Sequence, residues 1–235
     1  MKYLNQSVIK WLDAQAYQTT APYPLLGIPE FIQAERYQAL IDSMPQVQLF
    51  DENFGHKRKF GQASHDRLAL EYHSGLAISP AWKEFMQELT SDHYKQFIKR
   101  MTGVNRIELR FHWHYTPRGC SVSPHCDAMR KIGSHIFYFN TAEDWKAEWG
   151  GDTLILDDGG EFKRQSSPKF SDFKSAQRAN ATGNNSLLFS RNGNSWHAVE
   201  EITCPEGQYR KVFIVVINKL SFRRSLRNIL SGREA

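Results

Sequence analysis

The chain has 235 residues, of which 40% are hydrophobic, 23% charged and 13% aromatic. This is the composition of a globular protein, and it excludes a disordered or collagen-like chain. Thirty Lys and Arg against 25 Asp and Glu give a net charge of +5. The basic residues are spread along the chain, which argues against a nucleic-acid-binding surface, since such a surface needs one basic stripe or face.

The mean hydropathy is −0.56 and no long apolar run is present, which argues against a membrane span. The N-terminal segment is amphipathic and polar throughout, unlike a secretory signal, so a cytoplasmic location is expected. Cys120, Cys126 and Cys204 are too few and too irregularly spaced for a disulfide framework or a structural zinc site, and they fit a reducing compartment.

Residues 1–103 carry helical patterns and are interpreted as a support region. Apolar residues recur at helical spacing in three segments: Ser7–Tyr17, Glu30–Met44 and Pro80–Met101. Gly103 is a plausible C-terminal stop for the third segment. Residues 46–75 are predicted to be loops with short strands.

From residue 104 the pattern changes to short apolar runs bounded by turn residues. Six runs are predicted to be strands: Val104–Tyr115, Ser134–Asn140, Asp152–Leu156, Ser186–Ser190, His197–Ile202 and Arg210–Leu220. Residues 157–185 form a long polar insertion, which is a candidate lid over a pocket. Ser221–Leu230 is predicted to be a short basic helix, within a C-terminal segment 221–235.

Six strands without intervening helices favour an antiparallel jelly roll over a parallel sheet. The prediction is a single domain over residues 1–235, mainly β with N-terminal helices (α+β). Its jelly-roll core spans residues 104–220.

A metal-binding pattern lies within this β region. His125 and Asp127 are separated by one residue, so on a strand they project to the same face, and His197 follows 72 residues after His125. Two histidines and one carboxylate form the facial site that is typical of non-heme Fe(II) oxygenases.

A buried cation is predicted one strand further on. Arg210 begins the last strand and shares a face with Val212, Ile214 and Val216. A guanidinium aligned with an apolar row needs a planar anion, and the far end of a dicarboxylate would supply it. The neighbouring Lys211 is the alternative partner if the preceding turn is built differently.

The order of motifs resembles one family. The segments that carry the resemblance are Pro22–Ile32, Leu109–Tyr115, Pro124–Asp127, Ser134–Asn140, Trp145–Leu154 with its Gly150-Gly151 pair, Asn185–Ser190, and Trp196–Val199. In this order they resemble the prolyl-4-hydroxylase-type branch of the Fe(II)/2-oxoglutarate-dependent dioxygenases, which have a double-stranded β-helix core.

The resemblance implies Fe(II), 2-oxoglutarate and O2 as cofactors, with ascorbate as a candidate auxiliary reductant. His125, Asp127 and His197 would bind the metal, and Arg210 would bind the distal carboxylate of 2-oxoglutarate. Tyr138 matches a tyrosine that donates to the same carboxylate. Tyr115 matches one near the metal end, and alternation places it on the apolar face of its strand.

Other polar residues have two interpretations each. Arg130 either stays on the surface or meets an acidic substrate, and Trp196 either walls the pocket or simply packs. His112 and His114 are predicted to turn away from the core, and His65 is predicted to lie in a surface loop.

The expected activity is therefore hydroxylation of an unactivated C–H bond in a small metabolite or a peptidyl residue such as proline, with release of succinate and CO2. Two alternatives remain open. One is a non-catalytic jelly-roll module that binds sugar or nucleic acid. The other is a nucleic-acid demethylase of the same superfamily, although the last strand lacks the further arginines of that pattern. Nucleic-acid and membrane partners are not expected, and the sequence leaves the oligomeric state open.

Overall fold

Helices occupy the N-terminal part of the chain in the computed structural model, which describes residues 1–220. The helix predicted at Ser221–Leu230 lies outside the described residues. Five α-helices are present in the described part: α1 (Gln6–Trp11), α2 (Ala14–Thr19), α3 (Ala34–Ile41), α4 (Pro80–Thr90) and α5 (Asp92–Thr102).

Two predicted helices are interrupted for local reasons. Pro80–Met101 is split at Ser91, whose extended backbone ends α4 while its side chain accepts from the backbone amide of Tyr94 and caps α5. Ser7–Tyr17 is similarly divided at Leu12 and Asp13. Gly103 ends α5 in a left-handed conformation (φ 70°), as predicted.

The strands form two antiparallel sheets. They are β1 (Leu25–Pro29), β2 (Asp51–Asn53), β3 (Arg67–Glu71), β4 (Ile107–Thr116), β5 (Val122–His125), β6 (Lys131–Tyr138), β7 (Thr153–Asp157), β8 (Ser175–Ala179), β9 (Asn185–Ser190), β10 (Trp196–Val199) and β11 (Arg210–Lys219). The larger sheet has the order β1-β9-β6-β11-β4-β3-β2, and the smaller sheet has the order β5-β10-β7-β8. The prediction of a mainly β jelly-roll fold with N-terminal helices is confirmed.

The N-terminal region contributes more than helical support. Its three strands β1, β2 and β3 extend the larger sheet at both edges. The helices cover one face of that sheet, where Trp82 and Phe85 of α4 contact Trp113 and Phe213. The opposite face looks toward the smaller sheet, and the cavity lies between the two sheets.

The insertion 157–185 is partly regular. Its β8 pairs with β7 at the edge of the smaller sheet. Phe162 and Phe173 of the insertion pack on Trp196 at the outer face of that sheet. Among the described helices, none has the length and apolar character that crossing a membrane requires.

Candidate metal centre and its pocket

Three side chains that were predicted to bind a metal meet between the two sheets. β5 and β10 are neighbours, and their antiparallel register sets His125 directly opposite His197. Asp127 follows in the turn between β5 and β6. One ligand atom from each residue lies within 4.8 Å of the other two, and all three residues are buried.

The hydrogen bonds of both histidines leave the same ring nitrogen available. His125 Nδ1–H donates to the Ser123 carbonyl at 2.9 Å, and His197 Nδ1–H donates to the Ser195 carbonyl at 3.0 Å. A neutral imidazole that donates through Nδ1 keeps its lone pair on Nε2. Backbone carbonyls that orient a ring in this way are typical supports of metal-binding histidines.

The two oxygens of Asp127 differ in their hydrogen bonding, and one of them is also left available. Oδ1 accepts from Lys131 Nζ at 2.7 Å, whereas Oδ2 is buried without a hydrogen-bond partner. A buried carboxylate oxygen without a partner is costly, so this atom calls for a cation. The donor set of two imidazole nitrogens and one carboxylate oxygen therefore fits Fe(II).

Burial and neighbouring charges set the protonation that metal binding needs. Burial lowers the pKa of His125 well below its ordinary value, and it also lowers the pKa of His197. Burial opposes ionisation of Asp127, but the positive charges of Lys131 and Arg58 and the hydrogen bond from Lys131 favour it, and the pKa of Asp127 is lowered. At neutral pH the site thus offers neutral imidazoles and an ionised carboxylate.

Arg210 lies in the same cavity and is 6% exposed. Its Nε donates to the Gly151 carbonyl at 2.5 Å and its Nη2 to Thr153 Oγ1 at 3.2 Å. Gly151 has a φ of 101°, and a Cβ there would lie 3.3 Å from Arg210 Cδ, so the Gly-Gly motif makes room for this side chain. Among the described residues no carboxylate forms an ion pair with Arg210, which leaves it able to bind an anion.

Tyr138 lies beside Thr153 and Arg210. Its hydroxyl donates to Thr153 Oγ1 at 2.9 Å, and the Arg210 guanidinium lies 5.7 Å from the centroid of its ring. Thr153 therefore joins Tyr138 to Arg210. The sequence did not predict these contacts of Thr153.

The direction of the strands corrects the predicted positions of Tyr115 and His114. Tyr115 is not in the pocket: its hydroxyl donates to the Pro45 carbonyl at 2.8 Å, in the core under the helices. Lys211, the alternative to Arg210, shares that outer face and pairs with Asp144 at 2.8 Å, away from the cavity. His114, on the opposite face of β4, lines the cavity, and His112 lines the depression next to it.

Trp196 and Arg130 each had two interpretations. Trp196 takes the packing one, and the position of Arg130 is compatible with both of its own. Trp196 packs against Leu154 and Leu156 on the outer face of the smaller sheet, so it does not touch the cavity. Arg130 is exposed and lines the cavity, as a substrate contact would.

His65 lies in a loop, as predicted, but it is not on the surface. It is only 9% exposed, and its ring centroid lies 4.4 Å from that of His125. Its loop residues 54–66 contain no periodic pattern, so no sequence signal points to the pocket. The same loop brings Arg58 to the cavity, whose volume is about 310 Å³.

Residues 111–217 match the model of the 2OG-Fe(II) oxygenase superfamily. A search of curated proteins found no match. The matched segment contains the three candidate ligands and Arg210. It confirms the resemblance drawn from the sequence motifs.

Solved structures with the same fold include three oxygenases. A Pseudomonas putida prolyl-4-hydroxylase matches with a TM-score of 0.62 and 15% identity, over 88% of this chain and 97% of its own. A Trichoplax adhaerens prolyl hydroxylase, solved with a peptide of the hypoxia inducible factor oxygen degradation domain, matches with a TM-score of 0.58 and 14% identity, over 91% and 90%. The α-ketoglutarate-dependent carbocyclase SnoK from nogalamycin biosynthesis matches with a TM-score of 0.61 and 10% identity, over 97% and 93%.

Proposed function

We propose that this Fe(II)- and 2-oxoglutarate-dependent dioxygenase of the prolyl-4-hydroxylase-like branch uses His125, Asp127 and His197 as its iron ligands. The observation that carries the proposal is the buried Oδ2 of Asp127, which has no partner and lies beside two histidines that keep Nε2 available. The reaction is hydroxylation of an unactivated C–H bond in a small molecule or a peptidyl residue.

The protein supplies binding, orientation and an apolar wall. When bound, iron and 2-oxoglutarate activate O2 for oxidation of a C–H bond, with release of succinate and CO2. We assign the distal carboxylate of 2-oxoglutarate to Arg210, with Tyr138 and Thr153 fixing the guanidinium. Ile136, Val212, Ile214 and Phe189 line the cavity and limit the access of water.

We also propose a compartment and a domain organisation. Cys120, Cys126 and Cys204 are free thiols, which supports the reducing cytoplasm, where iron also stays Fe(II). We treat residues 1–235 as one domain. Nucleic acid is not proposed as a substrate, because β11 carries no second arginine after Arg210.

The test is succinate formation from 2-oxoglutarate with and without Fe(II). His125→Ala removes one nitrogen ligand, so we expect Fe(II)-dependent succinate formation to fall to background. His93→Ala, which changes an exposed histidine of α5, is the matched control and should keep wild-type turnover. Turnover that survives His125→Ala would remove His125 from the metal site.

A further inference from the structure

Two arginines in the cavity have no part in the proposed metal or cosubstrate binding. Arg58 comes from the loop before β3, and Arg67 is the first residue of β3. Both line the cavity beside His125. We call Arg58 and Arg67 the arginine pair.

His65 holds both members of the pair. Arg58 Nη1 donates to His65 Nδ1 at 2.6 Å, and Arg67 Nη1 donates to the His65 carbonyl at 2.6 Å. The other ring nitrogen, Nε2, lies 3.1 Å from Ser123 Oγ. When Nδ1 accepts, Nε2 carries the proton and donates to that hydroxyl. Because a guanidinium nitrogen can only donate, His65 Nδ1 accepts the hydrogen bond from Arg58, so the ring is neutral.

The acceptors of the pair are therefore uncharged. Arg58 also donates to Gln62 Oε1 at 3.3 Å, again a neutral group. The Nε atoms of Arg58 and Arg67 are both buried without a hydrogen-bond partner. Within residues 1–220, neither guanidinium forms an ion pair.

The acids near the pair form their hydrogen bonds with other groups. Asp127 is engaged with Lys131, and the Asp66 carboxylate accepts from the Gly55 amide at 2.8 Å. Burial lowers the pKa of both arginines, and the charge of Arg67 lowers that of Arg58 further. Asp127 raises the pKa of Arg58 and Asp66 raises that of Arg67, but both pKa values stay below the ordinary value. Two neighbouring cations without a counter-anion destabilise each other, and a bound anion would remove that cost.

The charge of the whole cavity has the same sign. Its lining contains five basic side chains, Arg58, Arg67, Arg130, Lys131 and Arg210, and one acidic side chain, Asp127. Fe(II) adds two positive charges and the 2-oxoglutarate dianion removes two, so the surplus of four positive charges is unchanged when both are bound. The adjoining depression shares Arg67, Arg130 and Lys131 with the cavity, and its acids Glu71 and Glu108 lie within reach of Arg110.

We propose that the primary substrate is a small anion, whose carboxylate or phosphate binds to Arg58 and Arg67. The proposal rests on the proposed function and adds the substrate class. The contact between the rings of His65 and His125 sets the anion site next to the metal ligands, so the C–H bond that reacts lies close to the anionic group. A cavity of about 310 Å³ is at the small end for a ligand site and suits a small molecule better than a polymer.

The test measures binding by calorimetry to protein loaded with Fe(II) and 2-oxoglutarate under nitrogen, so that the cosubstrate site is filled and no turnover occurs. The probes are benzoate, its uncharged analogue benzamide, and phenyl phosphate. We expect benzoate or phenyl phosphate to bind at least about tenfold more tightly than benzamide, and the stronger of the two identifies the anionic group. Equal binding of benzoate, phenyl phosphate and benzamide would overturn the proposal, as would tighter binding of a single-stranded oligothymidylate than of either small anion.

Substitutions in the arginine pair test whether these two side chains bind the anion. Arg58→Gln and Arg67→Gln should each weaken anion binding at least about tenfold and leave 2-oxoglutarate binding unchanged, which also reports that they fold. Arg178→Gln, in a surface ion pair with Glu200, is the matched control and should change neither. Anion binding that survives both substitutions contradicts the proposal.

Binding of 2-oxoglutarate distinguishes a failure of the proposed function from a failure of the proposed substrate class. If wild-type protein does not bind 2-oxoglutarate with Fe(II), the proposed function itself is wrong. If 2-oxoglutarate binds and the anions do not, only the substrate class is wrong.

Discussion

The environment of a single carboxylate explains how the metal centre is oriented. Lys131 takes one oxygen of Asp127, and the backbone carbonyl of Asp127 accepts from Arg191 Nε at 3.2 Å, so both ends of the residue are fixed. One oxygen is then left for a metal. Support of this kind around a ligand commonly sets metal affinity as much as the ligand itself does.

At the same scale, the two basic residues at the start of β11 have different partners. Arg210→Gln removes the charged fork from the cavity, so we expect the dissociation constant of 2-oxoglutarate to rise about 10- to 100-fold. Lys211→Gln breaks only the outer contact with Asp144 and should leave that constant within about twofold. Titration of 2-oxoglutarate into Fe(II)-loaded protein under nitrogen measures both. A larger effect of Lys211→Gln would move the anchor to the other face of the strand.

Strand β4 shows what the sequence can and cannot predict about an element. Alternation correctly separates Trp113 and Tyr115 from His112 and His114, because it follows from the backbone alone. It does not say which face looks into the pocket. The apolar face is covered by α4, and the polar face contributes His114 and Thr116 to the cavity.

The helices and the cavity lie on opposite faces of the larger sheet. A substitution in the helix layer should therefore lower stability without changing 2-oxoglutarate binding. Trp82 of α4 is fully buried against the outer face of the larger sheet, and its Nε1 donates to the Leu40 carbonyl at 3.1 Å. Trp82→Phe should lower the free energy of unfolding by about 1–3 kcal/mol through lost packing and the lost hydrogen bond. The affinity for 2-oxoglutarate should not change, because the cavity is on the other face.

Urea unfolding monitored by circular dichroism measures the stability of this variant. Trp11→Phe is the control, since Trp11 is 84% exposed and its replacement should have almost no effect. A loss of 2-oxoglutarate affinity in Trp82→Phe without a loss of stability would contradict this separation of the two faces.

In the molecule as a whole, the sequence predicts the parts that depend on local pattern. Six of the eight strands after residue 104 follow from alternation, and the His125, Asp127 and His197 set follows from short motifs in order; β5 and β8 were not among the predicted strands. The arginine pair and His65 do not, because they lie in or next to a loop without periodicity and reach the cavity only when β3 joins the sheet beside β4. Buried polar groups from distant segments are thus the part that tertiary structure decides.

Burial of several histidines at once has a consequence for the pH dependence of stability. His135 is fully buried away from the metal centre, and its Nε2–H donates to Ser186 Oγ, which itself donates to the Ile28 carbonyl. Tyr94 hydroxyl then donates to Nδ1 at 3.0 Å. Burial lowers the pKa of His135 from 6.5 to about 3, so the folded protein keeps this ring neutral over a range in which the unfolded chain protonates it.

The sign follows from proton uptake. Between about pH 6.5 and 3 the unfolded state binds one more proton at His135 than the folded state does, so stability falls as the pH is lowered through this range. One proton corresponds to a slope of about 1.4 kcal/mol per pH unit. His65, His114, His125 and His197, which also have lowered pKa values, add to the slope in the same direction.

Replacing His135 by Gln keeps hydrogen-bonding groups near Ser186 and Tyr94 but removes the titrating ring. We expect the free energy of unfolding of His135→Gln to decrease less steeply than that of the wild type between pH 6 and pH 4, by up to about 1.4 kcal/mol per pH unit, whatever its absolute stability. Urea unfolding of chelator-treated protein across this range gives both slopes, and His93→Gln, on the surface of α5, should follow the wild type. Parallel curves for His135→Gln and the wild type would show that His135 takes up its proton without unfolding, and the buried ring would then not contribute to acid destabilisation.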